Sequence, residues 1–393
     1  MRLLVIDTVN YIDYPTGGVM AFYRTMLPPC GNSLILVGIT TDVTTPVGKW
    51  IKRDLNGIEF DFYSIKHVIP RSQKPLVPRR ITDVLLLKRS LTRALKTAPP
   101  YDYIFTQSHE VLHNLPKKLL GKTCFVSPGL TNPLSISRYS WARVFARIYD
   151  RFYLMPKVAK VRWHLAAADQ RSKEDFARRS GGYIKPNDII TFPTRYNDNI
   201  FKVLPKNECR DYLKIDKEKR IFVTVGRLNW FKGWKLMIDA VSIFNKKEGN
   251  CKLFFIGDGE DDVKIKEYIR GNDLVDVVFL VGKIDPSGIA KYLNAADVFL
   301  MGSFAEGWST TLVEACACGV PCVVTEFSSA KEMIQDGKNG YVVCNREPVF
   351  FAEYLVKALG LNRLKVQEYN KKYKSLAQSR IMEEIDNILN NDN

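Results

Sequence analysis

The sequence predicts two successive doubly wound α/β domains, each a parallel sheet covered by helices. Three observations carry this expectation. Short apolar strands alternate with helix-length segments along the whole chain, the pattern of parallel sheets buried on both faces. The chain has 393 residues, more than a single hydrophobic core usually serves. The alternation also falls into two series, divided by the polar, turn-rich stretch FPTRYNDNIFKVL at 192–204.

In the first series the candidate strands are Leu3–Ile6, Ser33–Val37, Phe60–Phe62, Tyr103–Phe105, Thr123–Val126, His164–Ala167 and Ile189–Phe192. In the second they are Ile221–Val225, Lys252–Ile256, Val277–Leu280, Val298–Met301, Cys322–Thr325 and Tyr341–Val343. The expected division is 1–198 for the first domain and 199–375 for the second. Residues 376–393 follow, with Leu376, Ile381, Ile385 and Ile388 at helical spacing. They are expected to pack back on the first domain.

Composition narrows the class. Hydrophobic residues make up 46% and charged residues 25%, ordinary for a soluble globular protein. No apolar run reaches the roughly 18 residues of a membrane-spanning helix. The opening MRLLVIDTVNYIDYPTGG is broken by Asp7 and lacks a small-residue cleavage site. It reads as a first buried strand, and the protein is expected in the cytoplasm. Among eight cysteines, Cys316, Cys318 and Cys322 cluster, but no second pair or histidine lies nearby. They read as small buried thiols, kept reduced.

The net charge of +16 is unevenly distributed. Residues 1–200 hold 30 Lys+Arg against 15 Asp+Glu, whereas residues 201–393 hold 28 against 27. An acidic partner is therefore expected for the first half, either nucleic acid or an anionic membrane surface.

The strongest local signal is VTVGRLNWFKGWKLMIDA. A strand ends in Gly226, then Arg227, then Lys232 and Gly233, and an amphipathic helix follows. Ligands of open parallel sheets bind beyond the carboxyl ends of strands. A guanidinium fork and an ammonium in one loop there suit a diphosphate. Downstream, Val298–Met301 leads through Glu306 into a helix that Ser309 or Thr310 can cap and that Gly319 and Pro321 stop. A helix N-terminus offers free N–H groups and the positive end of a dipole to phosphate. Glu306 before it and Glu314 within it can accept hydrogen bonds from hydroxyls on two parts of one ligand.

These elements resemble the retaining GT-B glycosyltransferases of the family 4, or group 1, type. The resemblance runs through GRLNWFKG at 226–233, IGDGED at 256–261, VFLVGKIDPSGIAKYLNAADVFL at 278–300, FAEGWSTTLVEACACGVPCVV at 304–324 and DGKNGYVV at 336–343. It implies the GT-B architecture, two Rossmann-like domains facing a central cleft, with the acceptor side on the first domain. It implies that Arg227 and Lys232 hold the donor diphosphate, that Glu314 binds the ribose and that Glu306 contacts the transferred sugar. Backbone groups from Gly307 through Trp308, Ser309, Thr310 and Thr311 face phosphate and sugar, and Gly282 and Lys283 border the base. In the first half, Gly17 and Gly18 approach the phosphates and His109 faces the sugar near the reacting carbon. Glu306, His109, Arg227 and Lys232 are thus the catalytic candidates. His113 is read as a surface or helix-start residue with no role.

The implied reaction moves a sugar from a nucleotide-diphosphate sugar to a glycan or lipid-linked glycan, with retention. No cofactor is expected. Asp258-Gly259-Glu260 reads as a turn, not a metal site, because the cations for the diphosphate come from the protein. Two departures stand out: Gly302 replaces a proline common in the family, and FPTRYNDNIF replaces an Asn-Gly turn. An epimerase on the same fold and a non-catalytic nucleic-acid binder are the alternatives, although no nucleic-acid module is recognisable.

Two segments concentrate the basic charge. In 71–96, Val84, Leu87, Leu91 and Leu95 form a stripe beside Lys88, Arg89, Arg93 and Lys96. In 137–163, basic residues alternate with aromatics. Such mixtures suit peripheral contact with an anionic leaflet, expected at the inner face of the plasma membrane, or a solvated face above a packed stripe.

Overall fold

A computed structural model describes residues 1–14, 18–55, 57–69, 79–127, 129–130, 132, 134–135 and 143–390. It divides into two compact units, Met1–Pro193 with Ile381–Asn393, and Thr194–Arg380.

The first unit is built on an eight-stranded sheet. Its strands are β1 (Leu3–Ile6), β2 (Leu34–Thr40), β3 (Trp50–Leu55), β4 (Ile58–His67), β5 (Tyr103–Thr106), β6 (Thr123–Ser127), β7 (Trp163–Ala166) and β8 (Ile189–Thr191), in the order β3-β4-β2-β1-β5-β6-β7-β8. All neighbours pair parallel except β3 with β4. Alternate residues of β1 feed two cores: Leu4 and Ile6 pack on one face, Leu3 and Val5 on the other. This is the period-two burial of a strand covered on both sides. The helix Ile381–Asn390 belongs to this unit, where Ile381, Ile385 and Leu389 are buried beside the helix Gly18–Cys30.

β3 went unread in the sequence. WIKRDL has no apolar run, because it is an antiparallel edge strand whose Lys52 pairs with Glu59 and Asp61 of β4. Charged edges of this kind protect a sheet from further pairing.

The second unit holds a six-stranded, fully parallel sheet: β9 (Arg220–Val225), β10 (Cys251–Ile256), β11 (Val278–Gly282), β12 (Val298–Met301), β13 (Cys322–Thr325) and β14 (Gly340–Val343), ordered β11-β10-β9-β12-β13-β14. Ile221 and Val223 face one core, Phe222 the other. The segment after Pro193 is tied here: the Tyr196 N–H donates to Leu376 O at 3.1 Å and the Gln378 N–H to Tyr196 O at 2.8 Å. That pairing puts the chain crossings at 193/194 and 380/381, whereas composition alone places them at 198/199 and 375/376. Cys316, Cys318 and Cys322 are free, buried thiols in this core, their ionisation pushed up by desolvation for Cys318 and Cys322.

The helix Arg79–Lys96 resolves one of the two basic segments. Leu87, Leu91 and Ala94 are buried in the core and Leu95 packs against it, leaving Lys88, Arg89, Arg93 and Lys96. Leu87, Leu91 and Leu95 of its apolar stripe therefore serve the core. The Val84 side chain and residues 71–78 lie outside the described ones.

Candidate nucleotide-diphosphate site

In the second unit the strand order reverses direction between β9 and β12. Crevices at such switch points, beyond the carboxyl ends of strands, are the binding places of doubly wound sheets. β9 delivers Gly226 and Arg227 there, and β12 delivers the loop from Gly302 to Glu306. Three strand ends lie in register. The Gly226 N–H donates to Ile256 O, and the Gly257 N–H donates to Gly282 O, both at 2.9 Å. The IGDGED turn closes on the same loop: the Leu228 N–H donates to Asp258 O and the Asp261 N–H to Leu228 O. A Cβ at Gly259 would stand 2.1 Å from Leu228 O, so this turn needs glycine to pack backbone on backbone.

Past Arg227, Asn229 caps a short turn Trp230–Lys232, its side chain accepting from the Lys232 N–H. Gly233 follows in the left-handed region at φ 68° and starts the helix Trp234–Glu248. Gly233 and Gly302 meet backbone to backbone; a Cβ on Gly302 would lie 2.8 Å from Gly233 O. This accounts for glycine at 302: the two candidate ligand loops touch there without side chains.

The loop contact positions charge. Lys232 Nζ donates to Glu306 Oε1 at 2.5 Å, and Ser303 Oγ donates to the same oxygen at 2.6 Å. The loop is braced by Thr325 Oγ1 donating to Ser303 O and by Arg346, which donates to Gly302 O at 2.7 Å and Ser303 O at 2.9 Å. Arg227 is exposed, and its guanidinium has no hydrogen bond or ion pair among the described residues. The site thus offers one unspent cation beside one that is half-spent on a carboxylate.

Ser309 caps the helix Thr310–Ala317, its Oγ accepting from the Leu312 N–H. The backbone of Gly307 and Trp308 is held by Ser329 Oγ and Thr194 Oγ1. Glu314, half-buried on this helix, has no hydrogen-bond or ionic partner among the described residues, and burial pushes its carboxyl up to about 8. Burial thus favours the protonated carboxyl in the free protein, and donors brought by a ligand would favour the ionised one. Gly282, at φ 81°, ends β11 and Lys283 beyond it is exposed.

The structure thus gathers Arg227, Lys232, Glu306, Gly307, Trp308, Ser309, Thr310, Thr311, Glu314, Gly282 and Lys283 in one unit. His109 and Gly18 belong to the other. His109 opens the helix His109–Asn114 after β5, its ring 5.5 Å from that of Phe125. Gly18 opens the helix Gly18–Cys30 that follows β1, and Gly17 lies outside the described residues. β1 and β5 flank the first sheet's own switch point. His113 is half-buried rather than a surface residue: its ring stacks 3.7 Å from that of Tyr153, and burial, then His109 and Lys157, lower its basicity to about 3. Among the described residues no group of three or more His, Cys, Asp or Glu is placed to hold a metal ion.

Sequence reasoning missed three features. Trp230, Phe231 and Phe304 form an exposed aromatic cluster on the two loops that carry Lys232 and Glu306, with ring centroids 5.4–6.4 Å apart. Arg346 lies 3.8 Å over the Phe304 ring. In the first unit, buried Asp7 accepts from Tyr23 Oη at 2.7 Å, and desolvation pushes its carboxyl up to about 6. The aromatic pair WF beside Lys232 was visible as a signal; the Arg346 and Asp7 contacts, at separations of 43 or 44 and 16 residues, were not.

The fold is that of the GT-B class, two doubly wound units, with Arg227 and Lys232 at the switch point of the second sheet. Residues 205–378 match the family model of glycosyl transferases group 1. Over 162 residues it is 30% identical to N-acetyl-alpha-D-glucosaminyl L-malate synthase of Bacillus anthracis, covering 40% of this chain and 41% of that one. Over 141 residues it is 32% identical to the amylovoran biosynthesis glycosyltransferase AmsK of Erwinia amylovora, covering 34% and 35%. The chain thus spans about two-fifths or less of these curated relatives. Sucrose-phosphate synthase of Thermosynechococcus elongatus shares the fold with a TM-score of 0.73 at 16% identity, over 99% of both chains. The Anabaena protein HepE, solved with UDP and glucose, does so with a TM-score of 0.68 at 17% identity, over the whole of both.

Proposed function

We propose that this protein is a retaining glycosyltransferase that moves a hexose-type unit from a nucleotide-diphosphate sugar to a glycan or lipid-linked glycan, with no metal requirement. The observation that carries the reading is the pairing of unpartnered Arg227 with Lys232 at the β9/β12 switch point, beside the capped N-terminus of Thr310–Ala317. As a nucleoside diphosphate departs, negative charge grows on its phosphate oxygens. Fixed cations and N–H groups aimed there lower that barrier. Arg227 and Lys232 take this role, Glu314 accepts from the ribose and Glu306 from the transferred sugar. Retention follows if the departing phosphate itself takes the proton of the incoming hydroxyl on the same face, so no protein nucleophile is nominated. His109, Gly17 and Gly18 of the first unit are assigned to the sugar and phosphates by the family resemblance alone.

The relatives support a glycosyl donor: one makes an N-acetylglucosaminyl malate and another is a glycosyltransferase of amylovoran biosynthesis. Incubating the protein with radiolabelled nucleotide sugars and a panel of lipid-linked and soluble glycans tests the reading. Label should move to an acceptor with release of nucleoside diphosphate. An altered free nucleotide sugar without any acceptor would indicate epimerisation instead.

A further inference from the structure

One helix of the first unit has two opposite faces, and among the described residues only one packs into the core. It runs through Ala146–Ile148, a wide turn Tyr149–Leu154 and Met155–Val158. Ala146, Asp150 and Leu154, spaced by four, are buried. Val144, Ile148 and Phe152, also spaced by four but offset by two, are 77%, 57% and 75% exposed, and Phe145 beside them is 52% exposed. Residues spaced by four share a helix face, and an offset of two turns to roughly the opposite side. The buried seam is fixed: Asp150 pairs with Arg179 at 2.5 Å, and Leu154 sits in the core. The apolar stripe therefore cannot be relieved by rolling the helix.

We propose that this stripe docks the first unit onto an anionic lipid bilayer. Arg143, Arg147 and Arg151 are exposed and again spaced by four, in a row alongside the stripe. Asp150 is the sole acidic residue between 143 and 163, and it is buried in its ion pair with Arg179, so the segment carries a clear excess of positive charge. The basic zone continues through Lys157, whose ammonium is destabilised by burial and then by Lys160 and Lys117 nearby. Tyr153, at the end of the stripe, rests on the His113 ring. Aliphatic and aromatic side chains that protrude together, rimmed by guanidinium groups, match a headgroup layer with acyl chains beneath it. A second copy of the chain fits less well, because a two-fold contact would set the arginine rows against each other. Nucleic acid offers Val144 and Ile148 nothing to enter. The helix Arg79–Lys96 can add charge to such docking, while Leu87, Leu91 and Leu95 of its apolar stripe serve the core. The proposal does not rest on the transferase reading.

The test is co-sedimentation of the full chain with vesicles of phosphatidylcholine, alone or with one-quarter phosphatidylglycerol, at low and high salt. The variants are Phe145→Ser with Phe152→Ser, and Arg143→Gln with Arg147→Gln and Arg151→Gln. The wild type should bind only the anionic vesicles and release at high salt. Each variant should bind at least roughly tenfold more weakly, with unchanged thermal stability and circular dichroism. Three results would overturn the proposal: no sedimentation with anionic vesicles, undiminished binding by well-folded variants, or a concentration-dependent dimer that the serine variant abolishes. If a variant misfolds, Phe152→Trp decides: its added fluorescence should be quenched by brominated acyl chains in anionic vesicles, and no quenching of that added fluorescence would overturn the proposal.

Discussion

Lys232→Met separates the two roles of one ammonium. The methionine keeps the stem and removes the charge that reaches Glu306 Oε1 at 2.5 Å. The Lys232 side chain is 33% exposed and that of Glu306 14%, so solvent screens the pair only in part. Its loss should cost about 1 kcal/mol of stability, a fall of about 2–4 °C in Tm for a unit of this size. Removing one fixed cation from a developing phosphate charge should cost about 2–4 kcal/mol of transition-state stabilisation, a drop of about 30- to 900-fold in kcat/KM. Arg227→Ala supplies the contrast. Arg227 has no partner among the described residues, so Tm should hold within about 0.5 kcal/mol of stability while kcat/KM falls in the same range. The assay is nucleoside diphosphate release with saturating acceptor, alongside thermal unfolding. Unchanged kinetics in the double variant, with both proteins folded, would refute the assignment of the diphosphate to this loop.

The two glutamates should separate in the same assay. Glu314→Ala should raise the donor KM more than it lowers kcat, whereas Glu306→Ala should mainly lower kcat. With its carboxyl held near 8, Glu314 is mostly protonated at pH 7 and ionises as pH rises. Hydroxyl donors favour the ionised form, so nucleoside diphosphate affinity should rise from pH 7 to 9 by up to about tenfold, and Glu314→Gln should flatten that slope; a flat wild-type profile would count against the ribose role. Buried His164, which shares a 2.8 Å hydrogen bond with Ser127 Oγ, is lowered from 6.5 to about 3, chiefly by desolvation. Its neutral form is the one the fold accommodates, so its contribution is present above pH 6.5 and lost as pH falls towards 3. His113 adds the same sign, and Asp7, raised to about 6, opposes both between roughly 3.8 and 6. Tm should therefore fall on acidification below pH 6.5, and less so in His164→Asn; a Tm that rises steadily to pH 4 would contradict this.

Both central sheets were legible because their strands are buried on two faces and read as unbroken apolar runs, as LLVI in β1 and CVVT in β13 do. β3 was not, since an edge strand needs no such run. The two candidate ligand loops stood out because their glycines and charges fall at strand ends, where a doubly wound sheet gathers ligands. What the sequence concealed was long-range. Nothing local tells that Gly302 must meet Gly233, that Arg346 braces the loop of Glu306, or that Tyr23 caps Asp7. The two basic segments illustrate the same gap. Each has apolar residues at helical spacing among cations, but burial separates them: Leu87 and Leu91 turn inward, whereas Ile148 and Phe152 face out.

The most direct test of the account is a thermal-shift titration of the wild type and the Arg227→Ala, Lys232→Ala double variant with UDP, GDP, ADP and their sugar conjugates. A ligand that binds only the folded protein stabilises it by about 2.7 kcal/mol at one hundred times its Kd. At least one nucleoside diphosphate should raise the wild-type Tm in a saturable way, and the double variant should lose most of that shift while keeping its unliganded fold. If no nucleoside diphosphate moves the wild-type Tm at millimolar concentration, or the double variant responds as fully as the wild type, the site built on Arg227 and Lys232 is not a donor site.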